Sequence, residues 1–251
     1  MSSTFFKLKK PRIFAHRGYA LKAPENSLPA FSEALSICEY IETDLHATQD
    51  GVLVFHHDFD LKRSCGVDKN LADIKFSELQ KLRLLGTGEI GTDEKIPSAE
   101  EALTKFPDAH WNIEIKDPRL KIEDDVLALL KKLGAEERVL IAAENDEIMQ
   151  RFRALNSNIP TSASHLEVFR IVQWAMTGIG EPPKTLAKAF QLPTEYSGIK
   201  LDRPELIALA HQLGIEVHYW TINDPLVAKK LLESGADGII TDAPDLISKI
   251  L

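Results

Sequence analysis

The stretch "IETDLHATQDGVLVFHHDFD" (41–60) decides the fold, because it joins two patterns that rarely share one segment. Its acidic residues and three histidines are typical of a solvated loop, whereas "VLVF" (52–55) is typical of a strand. Asp50 and Gly51 form a strong hairpin-turn signal between "IETD" (41–44) and that apolar run. A parallel neighbour would need a crossover of about a dozen residues, so we expect an antiparallel hairpin.

A turn centred on Asp50 and Gly51 places Asp44 opposite His57 across the hairpin. Because side chains alternate along a strand, His56 is expected to face away from Asp44. The segment is then one strand of a larger sheet plus a hairpin that returns to the same edge. Its polar ends meet at that edge.

The rest of the chain alternates short apolar strands with amphipathic helices, which predicts a parallel sheet. The expected strands are "RIFAH" (12–16), "YIETD" (40–44), "WNIEIK" (111–116), "RVLIAA" (138–143), "TSAS" (161–164), "SGIKL" (197–201), "EVHYWTI" (216–222) and "DGIITD" (237–242). The expected helices are 27–38, 98–106, 120–133, 145–155, 165–176, 204–213 and 225–234. Eight such units in 251 residues match an α/β fold, the (β/α)8 TIM barrel, as a single domain over residues 1–251.

One alternative fold and one irregular segment accompany this prediction. An open doubly wound sheet usually has a glycine-rich phosphate loop after its first strand, and "HRGYALKAPENS" (16–27) lacks that pattern. The polar segment 60–96 does not fit the strand–helix repeat. We expect it to form a small insertion after the first hairpin, over one end of the barrel, with a short helix near 77–84.

The composition narrows the classes of function. A hydrophobic fraction of 44% supports a full core, and a net charge of −8 argues against a broad nucleic-acid or acidic-membrane surface. A few local cations would still bind a small anionic substrate. Cys38 and Cys65 lack metal-ligand spacing and suggest no disulfide framework. The N-terminus shows no signal peptide and no apolar run is long enough for a transmembrane segment, so the expected location is cytoplasmic. Nothing in the sequence fixes an oligomeric state.

Carboxylates converge at the predicted mouth of the barrel. Glu42 and Asp44 share one face of their strand, and Glu114 and Lys116 share one face of theirs. All four lie at the C-terminal strand ends, where barrel enzymes place their active sites. Three acids so close either take up protons or hold a cation, and oxygen ligands favour Mg²⁺ or Ca²⁺ over zinc. A set of plain ion pairs is the alternative, but the pattern on two strands favours a divalent metal ion.

Two histidines join the same rim. His16 ends the first strand and precedes Arg17, and His57 ends the hairpin and precedes Asp58. A histidine pair can serve as general acid and general base near neutral pH, and Asp58 can orient one imidazole. Arg17 and Lys116 supply positive charge for a phosphate. Taken singly, each histidine would be read as structural, but together these residues indicate phosphoryl chemistry.

The remaining histidines carry less weight in this interpretation. We place His46 on the rim, and we expect four further histidines to be structural or exposed: His110, His165, His211 and His218. Trp220 ends a strand at the rim and is expected to form an apolar wall against a substrate, with ordinary packing as the alternative.

Six motifs in this order resemble the glycerophosphodiester phosphodiesterase family. They are "HRG" (16–18), "PENS" (24–27), "IETDLHATQDGVLVFHHD" (41–58), "NIEIK" (112–116), "WTIND" (220–224) and "DGIITDAPD" (237–245). The resemblance covers nearly the whole chain. It implies a TIM barrel with an insertion after the His–Asp motif, and metal-dependent hydrolysis of a small-molecule glycerophosphodiester to sn-glycerol 3-phosphate and an alcohol.

The resemblance also implies a role for each residue. The metal ligands would be Glu42, Asp44 and Glu114, the acid–base pair His16 and His57, the phosphate-binding residues Arg17 and Lys116, and the glycerol-packing residue Trp220. Glu25 and Asn26 would support the rim around His16, with Glu25 the next candidate for metal contact. The sequence departs from the family pattern at Ser27, where threonine is commoner, and in the extra histidine of "HHDFD" (56–60). Residues 159–170 are weakly family-like, which leaves the alcohol side of the substrate open.

Two competing functions stay open from the sequence. One is a related phosphodiesterase of the phospholipase C-like superfamily that acts as a lysophospholipase D or forms a cyclic phosphate. The other is a non-catalytic barrel that binds phosphodiesters or metal, although no catalytic position is missing here. The lack of an evident membrane-binding patch favours a soluble substrate.

Overall fold

A computed structural model describes residues 4–86, 91–155 and 157–251. The strands are β1 (Arg12–His16), β2 (Tyr40–Ala47), β3 (Leu53–Phe55), β4 (Asp60–Leu61), β5 (Val67–Asn70), β6 (His110–Ile115), β7 (Val139–Ala142), β8 (Ala189–Leu192), β9 (Glu195–Tyr196), β10 (Ile199–Lys200), β11 (Glu216–Tyr219) and β12 (Gly238–Thr241). The α-helices are α1 (Leu28–Leu35), α2 (Lys62–Cys65), α3 (Phe76–Leu79), α4 (Ala99–Lys105), α5 (Glu123–Lys132), α6 (Asp146–Ala154), α7 (His165–Thr177), α8 (Pro204–Gln212), α9 (Pro225–Glu233) and α10 (Pro244–Ile247). Short 3-10 turns lie at Leu71–Asp73, Glu136–Arg138 and Ser248–Ile250.

The parallel strands close into a barrel. Seven of them pair in the order β7-β6-β2-β1-β12-β11-β8. Thr161 bridges in parallel to Ile141 of β7, and the adjacent Ser162 bridges in parallel to Ala189 of β8, so "TSAS" supplies the eighth position of the ring. The predicted (β/α)8 TIM barrel is confirmed.

One predicted barrel strand is wrong. The position between residues 161–162 and β11 belongs to β8, "AFQL", which pairs with β11 at four positions. The predicted "SGIKL" (197–201) instead contains β10, which pairs only with β9 in a small exposed hairpin. Both stretches have strand-like composition, and only the barrel's closure distinguishes them. Ala189 and Phe190 are fully buried, whereas Ile199 is exposed.

Alternation along the strands separates two kinds of side chain. One set points into the barrel and packs with Phe5 of the N-terminal segment: Phe14, Tyr40, Leu140, Ala142, Ala189 and Ile240. The residues between them pack outward against the helices in two larger clusters. Polar residues on the same inward side of the strands lie beyond this apolar layer, at the C-terminal strand ends. They therefore point into the mouth of the barrel.

The hairpin forms as predicted, but its register is shifted by one residue. Leu45 pairs with Phe55 and His46 with Val54, and the amide of His56 donates to the carbonyl of Asp44. Asp44 therefore lies opposite His56, not His57. The predicted register assumed a turn centred between Asp50 and Gly51. The observed pairing centres the turn on Asp50, half a residue earlier.

The segment after the hairpin, predicted as an insertion over 60–96, contains β4, α2, β5 and α3. Residues 87–90 of it lie outside the described residues. Its apolar side chains form a small cluster on Val54 of β3: Leu61, Leu71, Ile74, Leu79, Leu84 and Ile96. Its helix α3 is shorter than the predicted 77–84. Within the described ranges, no helix has the length and apolar character that would let it cross a membrane.

Candidate active site

Three carboxylates meet at the mouth of the barrel, as predicted. Glu42 and Asp44 lie on β2, and β6 runs beside it with Glu114 opposite Asp44. One oxygen of each carboxylate lies within 4.8 Å of the others. Glu42 and Asp44 are buried, and Glu114 is half-buried.

Cations balance this cluster only in part. Nζ of Lys116 lies 3.0 Å from Oδ1 of Asp44 and 2.8 Å from Oε2 of Glu114. Burial and the charge of Asp44 raise the pKa of Glu42 to about 7. Burial also raises the pKa of Glu114. Asp44 behaves differently, because Lys116 and Arg17 outweigh its burial and hold its pKa below the ordinary value. Three oxygen ligands with unbalanced negative charge fit a hard divalent ion such as Mg²⁺ or Ca²⁺.

The turn after β1 positions Arg17. Its backbone has φ of 56°, and its Nε lies 3.3 Å from Oδ2 of Asp44. Gly18 follows with φ of 78°, and a Cβ there would come within 2.8 Å of the Ala30 backbone. Only glycine lets the turn pack this closely on helix α1, so Gly18 brings Arg17 back over the carboxylates.

The two predicted catalytic histidines have the same kind of partner. Nδ1 of His16 lies 2.7 Å from Oδ1 of Asp242, and Nδ1 of His57 lies 2.7 Å from Oδ1 of Asp58. Both rings line the central cavity. A carboxylate on Nδ1 favours the proton on that nitrogen, which leaves Nε2 for the cavity side. In His16, burial would lower the pKa, but Asp242 and Glu42 raise it above the usual value.

Glu25 and Asn26 support the site from the turn before α1. Nδ2 of Asn26 donates to Oδ2 of Asp44 at 3.1 Å, so it holds the carboxylate cluster. Oε1 of Glu25 lies 3.1 Å from Nη1 of Arg17. Asp242 holds the His16 ring itself, while Glu25 and Asn26 hold Arg17 and Asp44 beside it.

His46 and His56 lie outside the cavity lining. Nε2 of His46 contacts the carbonyl of His57 at 3.1 Å, and burial lowers the pKa of His46 to about 4. His56 is buried between Ser64 and the carbonyl of Asp58. Strand β3 ends at Phe55, so strict alternation stops before these residues. His57 therefore lines the cavity and His56 does not, although the observed register places His56 opposite Asp44.

The other four histidines divide by place in the barrel. His218 is fully buried in the barrel interior, His110 lies at the start of β6, and His211 pairs with Asp237. These three match the expectation of structural residues. His165 is exposed, as predicted, but it also lines the cavity.

The cavity has a volume of about 420 Å³ and two chemically different walls. The polar wall carries the carboxylates, both histidines, Arg17 and Lys116. Trp220 lies at the rim with 45% of its surface exposed, at the position predicted for an apolar wall. A larger apolar wall comes from α7 and the small hairpin: Val168, Phe169, Val172, Tyr196 and Ile199.

The model of the glycerophosphoryl diester phosphodiesterase family matches residues 16–246. The chain belongs to this family. It is 32% identical over 248 residues to a Mycobacterium tuberculosis protein named "Probable glycerophosphodiester phosphodiesterase 2", covering 94% of this chain and 89% of that one. It is 29% identical over 269 residues to lysophospholipase D GDPD1 of Rattus norvegicus, covering 96% and 86%. The prediction of an enzyme, a phosphoric diester hydrolase, is confirmed.

Solved structures share the barrel. The glycerophosphodiester phosphodiesterase of Agrobacterium tumefaciens superposes with a TM-score of 0.79 at 23% identity, covering 95% of this chain and 99% of that one. An Oleispira antarctica phosphodiesterase, solved in complex with the product sn-glycerol-3-phosphate, superposes with a TM-score of 0.75 at 22% identity, covering 96% of each. At these identities the likeness concerns the fold.

Sequence reasoning missed three residues that hold the enzyme's site together. Asp242 binds His16, and Asn223 donates to Oδ2 of Asp242 at 2.8 Å. Arg63 lies in the insertion and joins Glu25 to Asp58, with its Nη2 2.6 Å from Glu25. Asp242 is the last residue of "DGIITD" and directly follows the last strand, and this position was the sequence signal that could have identified it. Nothing in the local sequence marks Arg63.

Proposed function

We propose that this enzyme hydrolyses glycerophosphodiesters to sn-glycerol 3-phosphate and an alcohol, with a divalent cation and two histidines as general catalysts. The observation that carries the proposal is the pair of His–Asp contacts in one cavity with three carboxylates and two cations. Structural ion pairs alone would not require two imidazoles whose remaining nitrogen is left for the cavity.

The residues divide the work of a displacement at phosphorus. Arg17 and Lys116 would bind the phosphate oxygens, Arg17 through parallel hydrogen bonds from its guanidinium. One imidazole would take the proton of the attacking oxygen, and the other would donate a proton to the departing alcohol oxygen. Because Asp242 and Asp58 each hold Nδ1, both rings are fixed for transfer at Nε2. The attacking oxygen is water or a hydroxyl of the substrate's own glycerol, and in the second case a cyclic phosphate precedes the final product.

Glu42, Asp44 and Glu114 would hold the cation. A bound Mg²⁺ or Ca²⁺ would neutralise phosphate oxygens and stabilise the negative charge of the transition state. These three carboxylates lie close together, and too few cations contact them to neutralise all three charges. The remaining negative charge supports a bound cation over plain ion pairing.

Turnover of glycerophosphocholine, followed by ³¹P NMR with and without EDTA, tests the proposal. We expect sn-glycerol 3-phosphate as the final product and loss of turnover in EDTA. Mg²⁺ or Ca²⁺ should also raise the melting temperature, since a ligand at 100 times its Kd adds about 2.7 kcal/mol of stability. An unchanged metal response in both Asp44→Asn and Glu114→Gln would contradict the metal assignment.

A lysophospholipase D-like activity is the second candidate. The apolar wall of the cavity favours it, because a wholly soluble glycerophosphodiester offers little to pack against Val168, Phe169 and Val172. The exposed apolar side chains on α7 also count against the prediction of a soluble substrate, which was based on the lack of an evident membrane-binding patch. Turnover of a lysophosphatidylcholine in the same ³¹P assay, compared with glycerophosphocholine, separates the two candidates.

A further inference from the structure

His57 lies beyond the part of the hairpin that the sheet holds. Strand β3 ends at Phe55, so regular strand pairing stops two residues before His57. The ring depends on Oδ1 of Asp58, which lies 2.7 Å from its Nδ1. The side chain of Asp58 is 23% exposed, so water competes with the imidazole for this carboxylate. A general catalyst must be held to within about 0.5 Å, so Asp58 itself needs a fixed partner.

Arg63 of α2 supplies that partner. Its Nε lies 2.7 Å from Oδ2 of Asp58, the oxygen that His57 does not use. Its Nη1 and Nη2 lie 2.9 Å and 2.6 Å from the two oxygens of Glu25. One guanidinium thus makes three charge-assisted hydrogen bonds to two carboxylates, and its planar fork is what makes that geometry possible.

Glu25 anchors Arg63 to the barrel. It lies in the turn before α1, and its Oε1 is also 3.1 Å from Nη1 of Arg17. A chain of contacts therefore runs from the turn after β1, through Arg63, to Asp58 and His57. Within the described part of the chain, the lining of the active-site cavity does not include Arg63, so this residue acts on the cavity only through others.

Helix α2 contacts the same segment at a second point. Nε2 of His56 lies 2.7 Å from Oγ of Ser64. The residues on either side of His57, which are His56 and Asp58, therefore contact two consecutive residues of α2. This helix has four residues and no side-chain cap at its N-terminus. Because so short a helix has little stability of its own, these contacts fix its place as well as that of His57.

The other histidine is held without help from the insertion. Asp242, the partner of His16, directly follows β12. Its second oxygen accepts a hydrogen bond from the side-chain amide of Asn223, which lies between β11 and α9. Both of these supports belong to the barrel itself, so of the two histidines it is His57 that depends on the insertion.

We propose that Arg63 is a positioning residue that fixes the His57 imidazole through Asp58, so that the insertion completes the active site of the barrel. The inference rests on the proposed function, because that function gives His57 its role as a general catalyst. Without Arg63, Asp58 is free to turn towards water, and Nδ1 of His57 loses its fixed acceptor. A misplacement of about 1 Å is enough to lower a rate about 100-fold.

Turnover of glycerophosphocholine by Arg63→Ala is the first test. We expect kcat to fall about 10–100-fold while KM stays within about threefold, because Arg17 and Lys116 remain to bind the phosphate. The side chain of Arg63 is 51% exposed, so the space that it leaves opens to solvent. Millimolar guanidinium chloride should therefore restore part of the lost kcat, and sodium chloride at the same concentration should not.

Two further variants separate geometry from charge. Arg63→Lys keeps the positive charge but cannot span both carboxylates, so it should recover less of kcat than guanidinium does. Arg83→Ala is the matched control, since Arg83 is an exposed arginine of the same insertion whose Nη1 contacts the carbonyls of Gln80 and Leu82. It should keep the wild-type kcat and show no response to guanidinium.

NMR spectra of the protein with ¹⁵N-labelled histidine give a readout that does not depend on turnover. In wild type, neutral His57 should show one tautomer, with the proton on Nδ1. In Arg63→Ala both tautomers should appear, because Asp58 no longer holds that proton in place. If Arg63→Ala does not fold, Arg63→Lys replaces it in this measurement and should show the same mixture.

The outcomes separate this inference from the proposed function. A fall in kcat that guanidinium restores, together with mixed tautomers of His57, supports the positioning role. A wild-type kcat in Arg63→Ala, a loss that guanidinium does not restore, or an unchanged single tautomer would each overturn it. Failure of wild type to hydrolyse glycerophosphocholine would instead contradict the proposed function, and the NMR spectra would still decide whether Arg63 positions His57.

Discussion

The two ends of the barrel both hold buried charges, but they balance them differently. At the N-terminal ends of the strands, Oε2 of Glu216 lies 2.7 Å from Nη1 of Arg12 and its Oε1 lies 2.9 Å from Nζ of Lys10. Asp237 lies 2.6 Å from Lys10 and 2.8 Å from Nε2 of His211. Each acid at this lower end has at least two cationic or histidine partners, with Lys10 shared between the two acids.

At the upper end, three carboxylates share two cations. The pKa values follow this difference: at the lower end, hydrogen bonds from His218 and Lys10 outweigh burial and lower the pKa of Glu216. At the upper end, burial and neighbouring acids raise the pKa values of Glu42 and Glu114. A balanced cluster stabilises the fold, whereas an unbalanced one is kept for a ligand. We therefore infer a structural role for the lower end and a functional role for the upper end.

The largest expected effect is on catalysis at the upper end. His16→Ala or His57→Ala should each lower the rate about 10²–10⁴-fold if both are general catalysts, and wild type should show a bell-shaped pH–rate profile. Folding and metal binding should survive, as measured by melting temperature and by its shift with Mg²⁺ or Ca²⁺. His56→Ala and His46→Ala are the controls and should cost far less. Equal damage from His56→Ala would show that the wrong imidazole has been assigned.

The next effect is on stability at the lower end. Arg12→Met removes the buried guanidinium that pairs with the half-buried Glu216 and hydrogen-bonds Tyr40, which should cost about 3–5 kcal/mol in the free energy of unfolding. The Arg12 side chain is fully buried. Urea unfolding measures the loss, and turnover per folded molecule should stay at the wild-type value. A variant that keeps its stability but loses turnover would reverse the roles assigned to the two ends.

A smaller effect of opposite sign is expected from Glu42→Gln. Its pKa near 7 lies above the unfolded value, so the folded state binds more protons between about pH 4.5 and 7. Stability then falls as pH rises through that window, and removing the carboxylate should add about 1–3 kcal/mol at pH 8. Urea unfolding in EDTA measures the gain, and turnover should be lost. Destabilisation by Glu42→Gln in EDTA would mean that the cluster is balanced after all.

The smallest effect concerns the acid limb of stability. Burial would raise the pKa of Asp237, but Lys10, the Val217 amide and His211 lower it. Its stabilisation is therefore complete above the unfolded pKa and lost as pH falls through the folded one. Asp237→Asn should cost about 1 kcal/mol near neutral pH and flatten the fall in stability below about pH 4. The check is a series of unfolding curves from acid to neutral pH, and an unchanged acid limb would contradict the assignment.

Local periodicity determined much of the site. Alternation along β2 and β6 places Glu42, Asp44 and Glu114 on the inner face, and the C-terminal position of these residues places them at the mouth. These properties depend only on neighbouring residues, because a strand has a two-residue period whatever it pairs with. The same reasoning located His16 and the hairpin itself.

Tertiary structure decided what distant segments contribute. Asp242 reaches His16 across 226 residues, and Arg63 of the insertion joins Glu25 to Asp58. Closure of the barrel selected "AFQL" over "SGIKL" as a strand, although both have strand-like composition. Local sequence sets which face a side chain is on, but the partner on that face depends on how the ring closes, and no local pattern encodes that.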